Sequence, residues 1–252
     1  MIGVIDSGVG GLSVLKEMHK RMPGHSFYYV GDSAWCPYGS KSYDDIQQRV
    51  FAISDWLIEK GAEMIVIACN SATIAAAEAL RANYPMQFIG MEPGVKPASL
   101  VTATHTIGVL ATQASLTGEK FHRLLYTHAY DLRVITQHCP KFTDLVEKGI
   151  LEGPEVEAAI HEYTDEMIRE GVDTIILGCT HYPFLKPALI KALPEHIKFI
   201  DTGSAVAKRV EKLKPSASSK PRVHIFTTGP LEKLDELLPL LCSELKAKTF
   251  TL

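Results

Sequence analysis

The stretch that decides the fold is MIVIACNSAT, Met64–Thr73, in which an apolar run leads directly into a cysteine and three small polar residues. A second stretch, TIILGCTHYP at Thr174–Pro183, has the same plan. A short continuous apolar run that ends in small polar residues is typical of a buried parallel strand followed by a turn. The sequence therefore predicts two buried strands, each of which delivers a cysteine at its carboxyl end.

The segments before the two cysteine stretches also share a plan. Apolar residues three or four positions apart predict one helix within 42–60 and another within 154–170. Gly61 and Gly171 then fit as the stops at the carboxyl ends of these helices. Strands that alternate with helices in this way indicate parallel sheets covered on both faces.

Three pairs of similar segments recur in the same order along the chain. Their offsets are 105, 110 and 111 residues: IGVIDS from Ile2 with IGVLAT from Ile107, IEKGAEMIVIACN from Ile58 with IREGVDTIILGCT from Ile168, and FIGMEPG from Phe88 with FIDTGSA from Phe199. The order of these pairs favours two related halves. We therefore predict an α/β protein of two pseudo-symmetric doubly wound domains with mainly parallel sheets.

The predicted first domain comprises residues 1–96 and 206–252 and carries Cys69, and the predicted second domain comprises 97–205 and carries Cys179. In open α/β sheets, ligands bind beyond the carboxyl ends of the strands. We therefore expect the active site in the cleft between the domains. The residues expected at strand ends are Asp6, Asp32, Cys69, Thr112 and Cys179.

Composition and charge narrow the classes of function. The chain has 252 residues, 46% of them hydrophobic, and a formal net charge of −3 without a long basic run, so neither a nucleic-acid surface nor a membrane surface is indicated. No apolar stretch approaches the about 18 residues of a membrane span. A strand predicted from residue 2 leaves no room for a signal peptide, so we expect a cytoplasmic protein. Its five cysteines are then expected to be reduced thiols.

The two cysteines allow several interpretations. They could be small core residues, or they could be reactive thiolates stabilised by the backbone N–H groups of strand-to-helix turns. Cys179 and His181 are close in sequence, but the spacings do not match a structural zinc site. The stretch DSGVGGLS from Asp6 lacks the glycine that a dinucleotide fingerprint needs at Ser13.

Two further polar residues have both a structural and a functional interpretation. His181 could be a satisfied buried histidine, or it could transfer protons or orient a group near Cys179. Asp6 could cap the helix that follows the glycine turn, or it could assist chemistry at the end of the first strand. The residues alone leave both alternatives open.

Five motifs together resemble glutamate racemase, a cofactor-independent enzyme family that supplies D-glutamate for peptidoglycan. They are DSGVGGLSV from Asp6, GDSAWCPYG from Gly31, ACNSAT from Ala68, CPKFTDLVE from Cys139 and GCTHYPFL from Gly178. The motifs lie in the family's order and spread over most of the chain. Trp35 and Cys36, which precede the PYG motif, have no assigned role.

The resemblance implies that Cys69 and Cys179 are the two acid/base thiols, with Cys69 acting on D-glutamate and Cys179 on L-glutamate. It implies Asp6, Glu147 and His181 as auxiliary groups near the thiols. It also implies a set of substrate contacts: Asp6, Ser7, Tyr38, Gly39, Asn70, Ser71, Thr112, Thr180 and His181. No cofactor and no metal are expected, glutamate is the expected small-molecule partner, and a homodimer is the candidate assembly.

Two alternative functions remain at this point. The chain could be a related enzyme that acts on aspartate, a hydantoin or another small acid. It could also be a non-catalytic protein that binds carboxylates or inhibits a partner, since some members of the resembled family interact with gyrase. Turnover of glutamate would separate these alternatives.

Overall fold

The computed structural model describes residues 1–213 and 215–252. Ten strands run through these residues: β1 (Ile2–Asp6), β2 (Phe27–Gly31), β3 (Met64–Ile67), β4 (Gln87–Ile89), β5 (Thr106–Ala111), β6 (Arg133–His138), β7 (Thr174–Gly178), β8 (Lys198–Ile200), β9 (Val223–Thr227) and β10 (Ala247–Thr251). The helices are α1 (Leu12–Arg21), α2 (Tyr43–Glu59), α3 (Asn70–Asn83), α4 (Val95–Ser99), α5 (Gln113–Thr117), α6 (Glu119–His128), α7 (Pro140–Glu147), α8 (Pro154–Arg169), α9 (Lys186–Ala192), α10 (Gly203–Lys212) and α11 (Leu231–Leu241). Short 3-10 helices lie at Tyr38–Ser40 and Tyr182–Leu185.

The chain divides into two compact units. The first comprises Met1–Met91 and Gly203–Leu252, and the second comprises Glu92–Thr202. The sheet of the first unit has the order β10-β9-β2-β1-β3-β4, and that of the second has the order β6-β5-β7-β8. All paired strands are parallel. The α/β class and the parallel sheets predicted from the sequence are confirmed, whereas the predicted boundaries of independently folding domains stay a prediction.

The two units wind in the same way. In the first unit the chain passes from β1 to β2, then returns to the other side of β1 to form β3 and β4. In the second unit β5, β6, β7 and β8 follow the same route. The three pairs of similar segments correspond to equivalent strands of the two units. The first pair overlaps β1 and β5, the second contains β3 and β7, and the third overlaps β4 and β8. Strands β9 and β10 extend only the first sheet, and β10 was not predicted.

The glycine stops predicted for α2 and α8 are confirmed, and residues at the helix starts add local signals of their own. Ser42 is the N-cap of α2, and its hydroxyl accepts the N–H of Asp45 at 3.1 Å. Gly61 and Gly171 follow α2 and α8 with φ angles of +88° and +80°, a conformation that favours glycine. Pro154 is the first residue of α8, where a missing N–H costs little.

The core of each unit lies between its sheet and its helices. In the first unit, Ile46 and Val50 of α2 and Ile67 of β3 are buried in one cluster, which also contains Cys69. In the second unit, the buried cluster includes Val109 and Ile176. Burial of these apolar side chains drives the packing that fixes the strand ends in place. Among the residues that the structure describes, no helix is both long and apolar enough to span a lipid bilayer.

Candidate active site

The polar residues predicted at strand ends lie there in the structure. Asp6 is the last residue of β1, Asp32 and Thr112 directly follow β2 and β5, Cys69 follows β3 by two residues, and Cys179 directly follows β7. The strands that lead to the cysteines, β3 and β7, lie beside β1 and β5, the strands from which the chain first extends the sheet to one side and then to the other. Ligands of open α/β sheets bind at such switch points.

Cys69 begins helix α3. It occupies the N-cap position with extended backbone angles, and its sulfur accepts the N–H of Ala72 at 3.5 Å. The thiol also lies 3.8 Å from the hydroxyl of Ser7. Because a helix N-terminus favours negative charge, this position suits a thiolate. Asn70 and Ser71 form the first turn of the same helix and are buried beside it.

The glycine turn that carries Ser7 is held on several sides. The Asp6 carboxylate accepts the N–H of Gly8 at 3.0 Å, and the Tyr29 hydroxyl donates to the carbonyl of Gly8 at 2.6 Å. The N-cap position of α1 belongs to Gly11. Asp6 is therefore not the N-cap residue of α1, although its side chain lies against the helix start: a Cβ on Gly11 would be 2.6 Å from the Cβ of Asp6 and 3.0 Å from its carboxyl carbon.

Cys179 lies in a chain of three polar groups. Its sulfur is 3.6 Å from Nδ1 of His181, and Nε2 of His181 is 2.8 Å from Oε1 of Glu147. His181 is 1% exposed, and Glu147 is the last residue of α7. A carboxylate that holds one ring nitrogen orients the imidazole and stabilises its protonated form. With Nε2 facing Glu147, Nδ1 is the ring nitrogen that can share a hydrogen bond with the Cys179 sulfur.

The surroundings of Cys179 differ from those of Cys69. A 3-10 helix, Tyr182–Leu185, precedes α9, so Cys179 does not begin an α-helix as Cys69 does. Cys179 lies at the predicted strand-to-helix turn, but the first helix after it is a 3-10 helix whose N-cap is His181.

Thr112, which directly follows β5, is the counterpart of Ser7 after β1 in the first pair of similar segments. It is the N-cap of α5, where its hydroxyl accepts the N–H of Ser115 at 3.3 Å and donates to the Ser115 hydroxyl at 3.0 Å. Thr180, which follows Cys179, is 3% exposed. Both residues lie at carboxyl ends of neighbouring strands in the same unit.

Residues 2–210 match the family described as Asp/Glu/Hydantoin racemase. The chain belongs to this racemase family. It is 43% identical to the glutamate racemase of Ectopseudomonas mendocina, over 96% of this chain and 95% of the relative, and 45% identical to that of Pseudomonas aeruginosa, over 95% and 93%. The crystal structure of Escherichia coli glutamate racemase with L-glutamate and the activator UDP-MurNAc-ala superposes with a TM-score of 0.91, at 31% identity, over 100% of this chain and 97% of the other.

Other cysteines of this racemase family member have a different environment. Burial raises the pKa of the Cys139 thiol well above its ordinary value and raises the pKa of Cys242 to about 12. Cys242 is 1% exposed, as expected of a cysteine that packs in the core. Both thiols are therefore held in the neutral form.

Sequence reasoning missed two residues of the first unit that bind Asp32. Arg49 of α2 donates to both oxygens of the Asp32 carboxylate, and the Thr228 hydroxyl donates to Oδ1 at 2.7 Å. Neither residue belongs to a motif of the racemase family quoted above. Thr228 is 196 residues from Asp32, so only the pairing of β9 with β2 brings the two together.

Proposed function

We propose that this protein interconverts L-glutamate and D-glutamate without a cofactor, with Cys69 and Cys179 as its two acid/base groups. One observation carries the proposal: the two thiols lie at the carboxyl ends of the corresponding strands β3 and β7, in two units with the same strand order. The glutamate racemases among its relatives, which match nearly the whole chain, support the choice of substrate.

Racemisation of an amino acid requires two groups. A base removes the α-proton from one face of the α-carbon, and an acid returns a proton to the other face. A single base working on one face would mostly restore the starting enantiomer. One thiolate and one thiol meet the requirement, and they exchange roles when the reaction runs in reverse.

The surroundings of each thiol suit this exchange. The Ser7 hydroxyl can accept a hydrogen bond from the Cys69 thiol or donate one to its thiolate, and the N–H of Ala72 favours the thiolate. His181, oriented by Glu147, supplies the corresponding stabilisation for Cys179. In line with the family resemblance, we assign deprotonation of D-glutamate to Cys69 and of L-glutamate to Cys179.

The intermediate needs stabilisation because the α-proton of glutamate is a very weak acid. Hydrogen-bond donors fixed where negative charge develops are the strongest means available to an enzyme. Backbone N–H groups of the turns at the strand ends supply such donors, together with the polar side chains that we assign to substrate binding: Asp6, Ser7, Asn70, Ser71, Thr112, Thr180 and His181. Tyr38 and Gly39 complete this set.

The cellular compartment of the enzyme is inferred from its product and from its free thiols. D-Glutamate serves peptidoglycan synthesis, and free thiols persist in a reducing compartment, so we place the enzyme in the cytoplasm. A homodimer remains the predicted assembly. We assign no nucleic-acid or membrane partner.

The test is a circular-dichroism assay of the purified protein with L-glutamate, D-glutamate and both enantiomers of aspartate. We expect each enantiomer of glutamate to racemise, before and after exhaustive dialysis against a chelator with a reducing agent. Turnover of aspartate in preference to glutamate would assign a different substrate. Loss of activity on dialysis that a metal or pyridoxal phosphate restores would contradict the cofactor-independent mechanism.

A further inference from the structure

Asp32 carries a buried negative charge that the proposed proton transfers do not use. Its carboxylate is 0% exposed and accepts Nε and an Nη of Arg49 at 2.9 and 2.6 Å, the Tyr38 hydroxyl at 2.6 Å and the Thr228 hydroxyl at 2.7 Å. Burial alone would raise the pKa of Asp32, but these hydrogen bonds hold it below its ordinary value. The carboxylate is therefore a fixed anion at neutral pH.

Tyr38 links this anion to the first thiol. The tyrosine is 1% exposed and shares the hydrophobic cluster of the first unit with Cys69. Burial, followed by the charge of Asp32, raises the pKa of Tyr38 well above its ordinary value. The Tyr38 hydroxyl thus stays protonated and donates to Asp32, so its ring is held in place beside Cys69 and does not supply protons to the reaction.

The indole of Trp35 covers the outer side of this ion pair. The guanidinium of Arg49 lies 5.2 Å from the centre of the Trp35 ring, and the ammonium of Lys41 lies 5.9 Å from it. A cation over an aromatic face is attracted by the ring and loses part of its hydration. Because Arg49 is 30% exposed at its side chain, this cover strengthens its pairing with Asp32.

We propose that Asp32 and Arg49 are positioning residues, which fix Tyr38 and the adjoining Gly39 beside Cys69, and that Trp35 stabilises the pair. Only the expected kinetic effects of this role depend on the proposed racemisation of glutamate. The positioning also has a consequence without substrate: Tyr38 and Cys69 belong to one buried cluster and Cys69 is 7% exposed, so we expect displacement of Tyr38 to open access to the thiol.

The first test measures alkylation of Cys69 by iodoacetamide in the ligand-free protein, followed by peptide mass spectrometry. Arg49→Lys keeps the charge but loses the two-pronged geometry, so we expect labelling of Cys69 to accelerate about fivefold or more. Arg21→Lys is the matched control, because Arg21 donates two hydrogen bonds to Glu211 in the same unit. Unchanged labelling in folded Arg49→Lys would overturn the proposal.

The second test separates substrate binding from chemistry. Tyr38→Phe removes the hydroxyl that Asp32 holds, and we expect the KM for glutamate to rise about tenfold while kcat changes less than about threefold. Tyr84→Phe removes the similar hydrogen bond from Tyr84 to Asp55, at 2.5 Å, and is expected to leave both constants unchanged. Equal kinetics of the two variants would contradict the positioning role.

The role of Trp35 is tested by a double-mutant cycle with Arg49. Trp35→Ala should accelerate labelling of Cys69 in the wild-type background and should add nothing in the Arg49→Lys background, because the indole acts through Arg49. Additive effects would overturn this part of the proposal. If the wild-type protein does not racemise glutamate, the proposed function fails, while the labelling comparisons in ligand-free protein still decide whether Asp32 and Arg49 position Tyr38.

Discussion

Asp173, which precedes β7, shows how one buried side chain stabilises a turn. It is 5% exposed, and its carboxylate accepts the hydroxyls of Thr102 and Thr174 at 2.7 and 2.9 Å and the N–H groups of Ala103 and Thr104 at 2.5 and 3.0 Å. Burial opposes the charge, but these bonds lower the pKa of Asp173 to about 2. The carboxylate therefore ties the entry of β5 to the start of β7.

The lowered pKa makes stability depend on pH. An unfolded aspartate has a pKa of about 3.9, so the folded carboxylate contributes its full stability above about pH 4 and loses it as the pH falls towards about 2. Asp173→Asn should lower the free energy of unfolding at pH 7 by roughly 1–3 kcal/mol. It should also flatten the decrease between about pH 4 and pH 2 in urea melts. Parallel pH curves for the variant and wild type would contradict this, and exposed Asp165→Asn is the control.

Substitution of Asp6 distinguishes a role in proton transfer from a purely structural role in the turn. The amide oxygen in Asp6→Asn can still accept the N–H of Gly8, so the turn should persist and the melting temperature should change little. If the carboxylate assists proton transfer at Cys69, kcat should fall by about 10²-fold. A variant with near wild-type turnover would remove Asp6 from the mechanism.

Among the elements, the turn between β1 and α1 is tightly confined by strand β2. A Cβ added at Gly31, the last residue of β2, would lie 2.5 Å from the carbonyl oxygen of Gly8. The turn carries Ser7, whose hydroxyl lies 3.8 Å from Cys69, so any shift moves a group of the proposed active site. Gly31 is thus needed because the turn at Gly8 leaves no room for a side chain, and not because of its own backbone conformation.

This close approach predicts a specific effect. Gly31→Ala should force the turn away from β2 and lower kcat/KM for glutamate by about tenfold or more. Gly24→Ala is the matched control, because a Cβ there meets nothing within 4 Å, and its activity should be unchanged. Steady-state assays of both variants, with melting curves to verify folding, provide the measurement. Equal activities would show that the turn tolerates displacement.

The elements that the sequence predicted are those with long or repeated signals. Helices α2 and α8 have apolar stripes and glycine stops, and β3 and β7 are continuous apolar runs. Strand β10, AKTFT, was missed because it is a short edge strand with half-buried and exposed residues and no continuous apolar run. The path of the glycine turn after Asp6 could not be predicted, because it depends on contacts with Tyr29 and Gly31, which come from another strand.

For the chain as a whole, the repeat predicted more than any single motif did. Three echoes at offsets of 105, 110 and 111 residues predicted two units with one winding, and the strand orders confirm it. Motif reasoning then singled out Cys179, His181 and Glu147, which the structure brings together. It could not find Arg49, because a helical arginine carries no local sign of the buried carboxylate that it binds.

The repeat also implies that neither unit suffices for catalysis, since each supplies one thiol to the proposed reaction. The new α-proton of the product should come from a thiol that has exchanged with solvent, while the substrate's own proton leaves to the other thiol. In deuterium oxide, the first D-glutamate formed from L-glutamate should therefore carry deuterium, and the remaining L-glutamate should carry almost none. Chiral chromatography to separate the enantiomers, followed by mass spectrometry of each at early times, measures this.

Removal of one thiol completes the test. Cys69→Ala and Cys179→Ala should each abolish racemisation in both directions, because every turnover uses both groups. Cys242→Ala is the control, since that thiol is buried with its pKa raised to about 12 and has no part in the mechanism. Cys69→Ser should also be inactive, because a hydroxyl is a poor base, yet it should fold at least as well as Cys69→Ala, because serine is a better N-cap than alanine. Near wild-type racemisation by either folded alanine variant would show that one cysteine suffices and that the two-base mechanism is wrong.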